Sequence, residues 1–295
     1  MKSYAILLLA CILFPRVIKA QDRVTTNPDS ANIVTADIGN FWKAFDLLQH
    51  TTTTDDSLQV IRSVFIDNAS EGLKQYLRAA NCDERQYLQT IRKRKSDYLA
   101  VRNQTEAIAS KKQQLIHYLH RFKQLYPQLK IPAICFTIGK FEVGGTQFEN
   151  TLFIGCEKDL QLGVDIIAQA IHELAHFQQL DQNTSTNLES VMIEGGAEFI
   201  CYQVTGKRTI YKTWAYGIAN EQSLWNEFKP KQDSAADMKW FLDVAANNRP
   251  GSLGYFIGFR ICEAYLKNHR DKKPALKDLV EMKDPKKIYL DSGYK

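Results

Sequence analysis

The stretch AIHELAHFQQ, residues 170–179, sets His172, Glu173 and His176 within five positions of a chain that holds six histidines in all. Four residues advance an α-helix by about 400°, so the two imidazoles lie on one face, one turn apart. That spacing lets both reach one zinc ion at Zn–N distances of about 2.0–2.1 Å. Glu173 is turned about 100° from His172; it is poorly placed as a third ligand but well placed to reach a water held on the ion. A structural reading competes: a helix with two partly exposed histidines beside a glutamate.

A catalytic zinc takes about three protein ligands and leaves one position open. The segment MIEGGAEFI supplies the candidate, because Glu194 and Glu198 are four apart and share a face. Glu194 is assigned as the ligand and Glu198 as the carboxylate that orients a histidine from behind. Without that role Glu198 would be an exposed acid. Gly195 and Gly196 lack the bulk to keep this backbone away from the histidine helix. Ala168 and Ala175 leave room for an ion beside the imidazoles.

The elements that must carry these residues follow from periodicity. From about Asp37 to Leu129 apolar residues recur at three and four positions, in FWKAFDLL, SLQVIRSVF and KKQQLIHYLHRFKQL, which predicts helices. His117 and His120 fall on the last of these, but no acidic or sulfur ligand accompanies them. IPAICFTIG and TLFIGC read as strands joined by a glycine-bearing turn. The histidine helix is expected over about 164–180 and the glutamate helix over about 187–204. Thr186 and Glu189 form a capping box for the latter and Gly206 is placed to end it. LWNEF, DMKWFLDVA, GYFIGFRICEAYL and ALKDLVEM are helical again. The fold class is therefore mainly α, α+β, with a helical region over 21–128 and a site-bearing domain over 129–295.

Residues 1–20 have the three parts of a secretory signal peptide, with cleavage expected after Ala20. A lipid anchor at Cys11, within LLAC, is the alternative. The apolar run is too short for a bilayer, which needs about 20 residues, and no other run approaches that length. Without Lys2, Arg16 and Lys19 the remaining chain carries 35 basic and 33 acidic residues. That balance and the short RKRK run at Arg92–Lys95 give no footprint for nucleic acid. Cys82, Cys135, Cys156, Cys201 and Cys262 form no CxxC pair, so zinc is not expected on sulfur. A disulfide between Cys135 and Cys156 is open to an exported protein; Cys201 and Cys262 sit in apolar helices and read as core.

HELAH, seventeen intervening residues and EGGAEF together resemble the gluzincin metallopeptidases. The wider segments LYPQLKIPAICFTIGKFEVGGTQ, LFIGCEKDL and RPGSLGYFIGFRICEAYL resemble an uncharacterised family of secreted bacterial proteins described as zinc-dependent proteases. The resemblance implies a zincin-like catalytic domain, Zn2+ on His172, His176 and Glu194, Glu173 as general base, and a peptide or protein substrate. It also implies a transition-state donor well downstream, where Tyr255 stands; an ordinary core tyrosine is the other reading. In zinc aminopeptidases a Gly-x-Met-Glu-Asn segment grips the substrate amine, whereas Gly144–Thr146 carry no acid immediately after them. Endopeptidase and exopeptidase action therefore both stay open.

On that reading the chain is a secreted zinc-dependent peptidase whose metal-activated water passes its proton to Glu173. An extended peptide would pair with the strand holding Phe153 and Ile154, and Arg260 would take a carboxylate or form a structural ion pair. Two other functions remain: a catalytically silent secreted zinc-binding or peptide-binding protein, and a hydrolase of a non-peptide amide or ester.

Overall fold

The computed structural model describes residues 24–142, 144–241 and 249–295. The expected signal peptide, its cleavage site and the Cys11 anchor lie outside these residues, as does the latter part of DMKWFLDVA. The architecture is mainly helical with a small mixed sheet, the expected class.

Strand β1 (Ile33–Val34) opens the sheet, and α1 (Ala36–Leu47), α2 (Thr54–Val60), α3 (Glu71–Ala79), α4 (Glu84–Lys93), α5 (Lys95–Glu106) and α6 (Lys112–Leu125) follow. Local signals start several of them. Ser70 accepts the Leu73 N–H ahead of α3, and Asp83 with Gln86 closes a capping box on α4. Then come β2 (Ala133–Thr137), β3 (Gly145–Phe148) and β4 (Thr151–Gly155), in the spatial order β1-β2-β4-β3. β1, β2 and β4 run parallel, and β3 is antiparallel to β4.

β2 and β4 are buried at every position, as continuous apolar runs covered on both faces must be. Tyr76 of α3 stacks on Phe153 with centroids 4.2 Å apart. A Cβ at Gly72 would lie 2.6 Å from the Cys135 sulfur, so only glycine lets α3 settle this close to the sheet. Tyr87 and Tyr98 donate to the carbonyls of Ile138 and Gly139 just past β2. The N-terminal helices thus share one hydrophobic core with the sheet and the helices beyond it.

Three expectations change. β1 is two residues long, too short to show alternation, and β3 begins at the glycines that read as a turn. β4 is an inner strand: Phe153 is paired to Cys135 and Thr146, and Ile154 to Phe136 and Gly145. A pairing ligand strand near the cleft would therefore meet β3, an edge strand, instead of β4. Cys135 and Cys156 form no disulfide, and Cys82, Cys201 and Cys262 are free thiols as well.

After α7 (Cys156–Leu162) come α8 (Ile166–Gln178) and α9 (Asn187–Thr205), then α10 (Tyr211–Phe228), α11 (Leu253–Asn268), α12 (Lys272–Glu281) and α13 (Pro285–Ser292). The α9 signals act as read: Thr186 and Glu189 form the capping box, and Gly206 ends the helix at φ 72°. The role given to Gly195 and Gly196 is corrected. Gly195 faces Gly258 of α11, where its Cβ would come 2.4 Å from the backbone, and a Cβ at Gly196 would strike Met282. A Cβ at Gly258 would come 1.7 Å from the Val191 carbonyl oxygen, so α9 and α11 touch backbone to backbone. Gly195 serves that crossing and Gly196 the packing of Met282, and neither serves the approach to the histidines. Ala168 and Ala175 are core residues of α8.

Candidate metal centre

α8 starts where Asp165 accepts the N–H groups of Ile167 and Ala168, and its Ile167, Ile171 and Leu174 stripe is buried. This fixes the opposite face, and with it His172 and His176, toward α9 and the cleft. The imidazole Nε2 atoms are 3.1 Å apart. Glu194 Oε2 lies 3.6 Å from the His172 Nε2 and 3.3 Å from the His176 Nε2. A tetrahedral zinc bound at 2.0–2.1 Å needs donor separations of about 3.3–3.4 Å, the edge of its tetrahedron. The three donors match that edge closely. Among the described residues His172, His176 and Glu194 are the group able to hold a metal ion.

Both imidazoles face an acceptor from behind. The His172 Nδ1 is 3.3 Å from Glu198 Oε2, and Glu198 is fully buried. Its carboxylate also accepts the Thr209 N–H at 2.8 Å and the Thr209 hydroxyl. His176 Nδ1 lies 2.9 Å from Gln179 Oε1, and the Gln179 amide donates to the Ile193 carbonyl, next to Glu194. With Nδ1 facing an acceptor, each ring turns its Nε2 toward the ion position. Gln179 was not singled out from sequence, although it stands three residues after His176, at the C-cap of α8.

The electrostatics favour positive charge. Burial opposes an imidazolium at His172, but Glu194, Glu198 and Glu173 outweigh it and lift the group to about 10. His176 is raised against the same desolvation by Glu194. Burial likewise opposes charge on Glu194, yet the two imidazoles hold its carboxyl well below the usual range. A cluster this acidic is balanced either by protons or by a cation.

The donors open onto a cleft of about 710 Å³ lined by β3, α7, α8 and the start of α11. Glu173 faces it, its Oε1 fixed by the Gln169 amide at 2.8 Å. A Cβ at Gly145 would come 2.2 Å from the Glu173 carboxyl carbon, so the glycine at the head of β3 makes room for that side chain. Tyr255 lines the cleft, its ring 5.9 Å from His172 and nearly parallel to it. Arg260 is not in the cleft; it pairs with Glu221 at 2.8 Å and with Glu263. His120 bonds Asp29 at 2.8 Å, with no metal-binding partner in His117.

Fold and site thus define a mainly helical α+β protein with a cleft onto which three potential metal donors from two helices open. Compared with known proteins, residues 211–295 match the family model of gliding motility protein GldB. No curated protein and no solved structure is similar to the chain. The match corrects the sequence-based identification. It is to a motility family and not to a metallopeptidase family, which overturns the gluzincin resemblance, the function of secreted zinc peptidase and the description as a protease. That identification rests chiefly on HELAH and one downstream acid, with the wider segments as weaker markers. Such a motif specifies a coordination geometry, which several functions can use.

Proposed function

We propose that this chain is an envelope-associated protein of the gliding-motility type whose cleft binds a ligand beside a resident zinc ion. The observation that carries the metal is the convergence of three donors from α8 and α9 at the edge lengths of a tetrahedron. The motility assignment draws on the similarity of residues 211–295 to GldB. No helix among the described residues is long and apolar enough to cross a membrane. Attachment is assigned to Cys11, since Leu8-Leu9-Ala10-Cys11 has the small and apolar residues that precede an acylated cysteine.

Zinc, when bound, supplies a strong electrophile at the cleft floor. The chain does the rest: Glu198 and Gln179 orient the imidazoles, and the β3 edge offers backbone groups to an extended ligand. The test is metal analysis of the purified protein with gliding assays of its host. About one zinc per chain, lost in His172→Ala together with complementation of a deletion strain, is expected. Metal-free wild-type protein, or full gliding without the gene, would refute the respective half. Mass spectrometry of the mature N-terminus should find acylated Cys11; a chain starting at Gln21 would remove the anchor.

A second reading, that the cleft is also a hydrolase of a non-peptide amide or ester, is favoured by Glu173. Its carboxylate lines the cleft beside His172, held by Gln169, in position to accept a proton from water. Glu173→Gln should keep the metal and abolish hydrolysis of a responsive ester or amide; unchanged turnover would end this reading.

A further inference from the structure

The half-buried arginines Arg94, Arg102, Arg249 and Arg260 each pair with a carboxylate. Arg208, equally half-buried in the link between α9 and α10, pairs with none among the described residues. Its guanidinium carbon lies 3.9 Å from the centre of the Tyr202 ring and 3.8 Å from that of Trp214, with Phe259 at 5.4 Å. α9, α10 and α11 supply one ring each, and Phe259 meets the other two edge-on. The left-handed turn at Gly206 reverses the chain after α9 and lets Arg208 lie back over Tyr202.

These rings hold the guanidinium in place but satisfy it only in part. Its Nε is buried without a hydrogen-bond partner, and the two terminal nitrogens bond nothing among the described residues. A sealed Nε excludes side-on pairing. What remains is the end-on pair of amino groups, a fork that takes a carboxylate through two parallel hydrogen bonds.

Beside this fork α10 carries an apolar stripe that does not serve the core. The helix turns Thr213, Gly217, Leu224 and Phe228 inward. Tyr211, Trp214, Ala215 and Ile218 recur at i, i+3, i+4 and i+7 on another face, and Tyr211 and Ile218 are each 47% exposed. The outward face of a surface helix ordinarily holds charged and polar residues. Exposed apolar residues scattered singly are common, whereas a contiguous set marks a surface that meets a partner. Trp214 joins the two features, being part of the stripe and of the clasp around Arg208.

We propose that Arg208 and the α10 stripe form a docking surface for an acidic, amphipathic segment of a partner protein. Its apolar side chains lie along Tyr211, Trp214 and Ile218, and one Asp or Glu carboxylate docks end-on at Arg208. The unpaired charge sets the sign of the occupant, and Tyr, Trp and Arg are the residues that carry most binding energy at protein interfaces. A lipid surface is less well matched. Lipid-binding clusters hold about four to eight basic residues, whereas Lys207–Ile218 contains Lys207, Arg208 and Lys212, and Lys207 is paired with Asp165. None of the docking residues is a metal donor, so the inference stands whether or not zinc is bound.

The test is selection of a random peptide library on the immobilised full-length protein, followed by affinity measurements on the recovered peptides. They should carry Asp or Glu among apolar residues, and exchanging that acid for its amide should weaken binding about tenfold or more. In Arg208→Gln the same exchange should change affinity by less than about twofold, which closes a double-mutant cycle on the pair. Peptides without an acid, or an acid effect that persists in Arg208→Gln, would overturn the proposal.

Ile218→Asp provides a variant at an exposed position, expected to keep the melting temperature and to release the peptides by placing like charges together. Recovery of no peptide that Ile218→Asp releases would equally overturn it. Vesicles of phosphatidylglycerol and phosphatidylcholine, offered to the Cys11→Ser protein so that no acyl chain contributes, test the rival surface. Vesicle binding lost in Ile218→Asp would assign the stripe to lipid and end the protein-docking reading.

Discussion

The helix pair α8–α9 and the segment from α10 to α13 contribute to this molecule in opposite ways. The first holds the acid–base and donor chemistry: His172, Glu173, His176, Glu194 and Glu198 all precede Tyr211. The second is the part similar to GldB, and of the expected site residues it supplies only Tyr255. Yet the two are packed without a gap, Gly195 of α9 against Gly258 of α11. Family likeness and chemistry reside in different stretches of chain, and a motif read alone assigns a coordination geometry without assigning a biological role.

Substitutions can break or sharpen that contrast. His172→Ala removes one of three donors and should lower zinc occupancy from about one per chain to below about a tenth, read by elemental analysis. Retention of metal would mean that α8 is not the binding element. Gly258→Ala, in the GldB-like segment, forces a methyl to within 1.7 Å of the Val191 carbonyl oxygen. A cost of about 1–3 kcal/mol in denaturant unfolding is expected, with larger values within reach. If stability is unchanged, the two regions are not mechanically joined at this crossing.

Glu198→Gln should keep the fold and weaken zinc by about 10–100-fold, the usual effect of losing an orienting partner. A competition titration with a chelating dye measures it, and an undiminished affinity would make Glu198 merely a partner of Thr209. A smaller effect concerns pH. With its folded pKa raised to about 10, His172 carries a proton at pH 7 when no ion is bound. Zinc must displace that proton, so affinity should rise with pH across the window from 6.5 toward 10. Calorimetry in two buffers of different ionisation enthalpy should report net proton release on binding, at least about one per ion, since His176 is raised as well. Smallest of all, Tyr255→Phe should alter zinc occupancy by less than about twofold, since Tyr255 is not among the donors.

Much of the local structure was legible because it is written in contiguous residues. Thr186 with Glu189 and Gly206 mark the ends of α9, and the HELAH spacing puts two imidazoles on one face. What escaped depends on distant partners. Gly195 and Gly196 announce a close approach but not by what, and α11 is the answer for Gly195. β1 acquires its strand character only by pairing with β2 about a hundred residues later. Asp159 lies in an ordinary acidic helix turn, and nothing in EKDL distinguishes its unpartnered Oδ2 from the fully satisfied Glu157.

Gln179 has one further consequence. Its amide ties the His176 ring to the carbonyl of Ile193, so the end of one helix and the residue before Glu194 are braced against each other. The mouth formed by the donors thus behaves as a caliper of preset width. A small ion at about 2.0–2.1 Å fits it as built, whereas calcium, with six to eight oxygens at about 2.3–2.6 Å, would have to pry the helices apart. At the proposed metal site, selection among ions would then rest partly on a glutamine that is not one of the three donors.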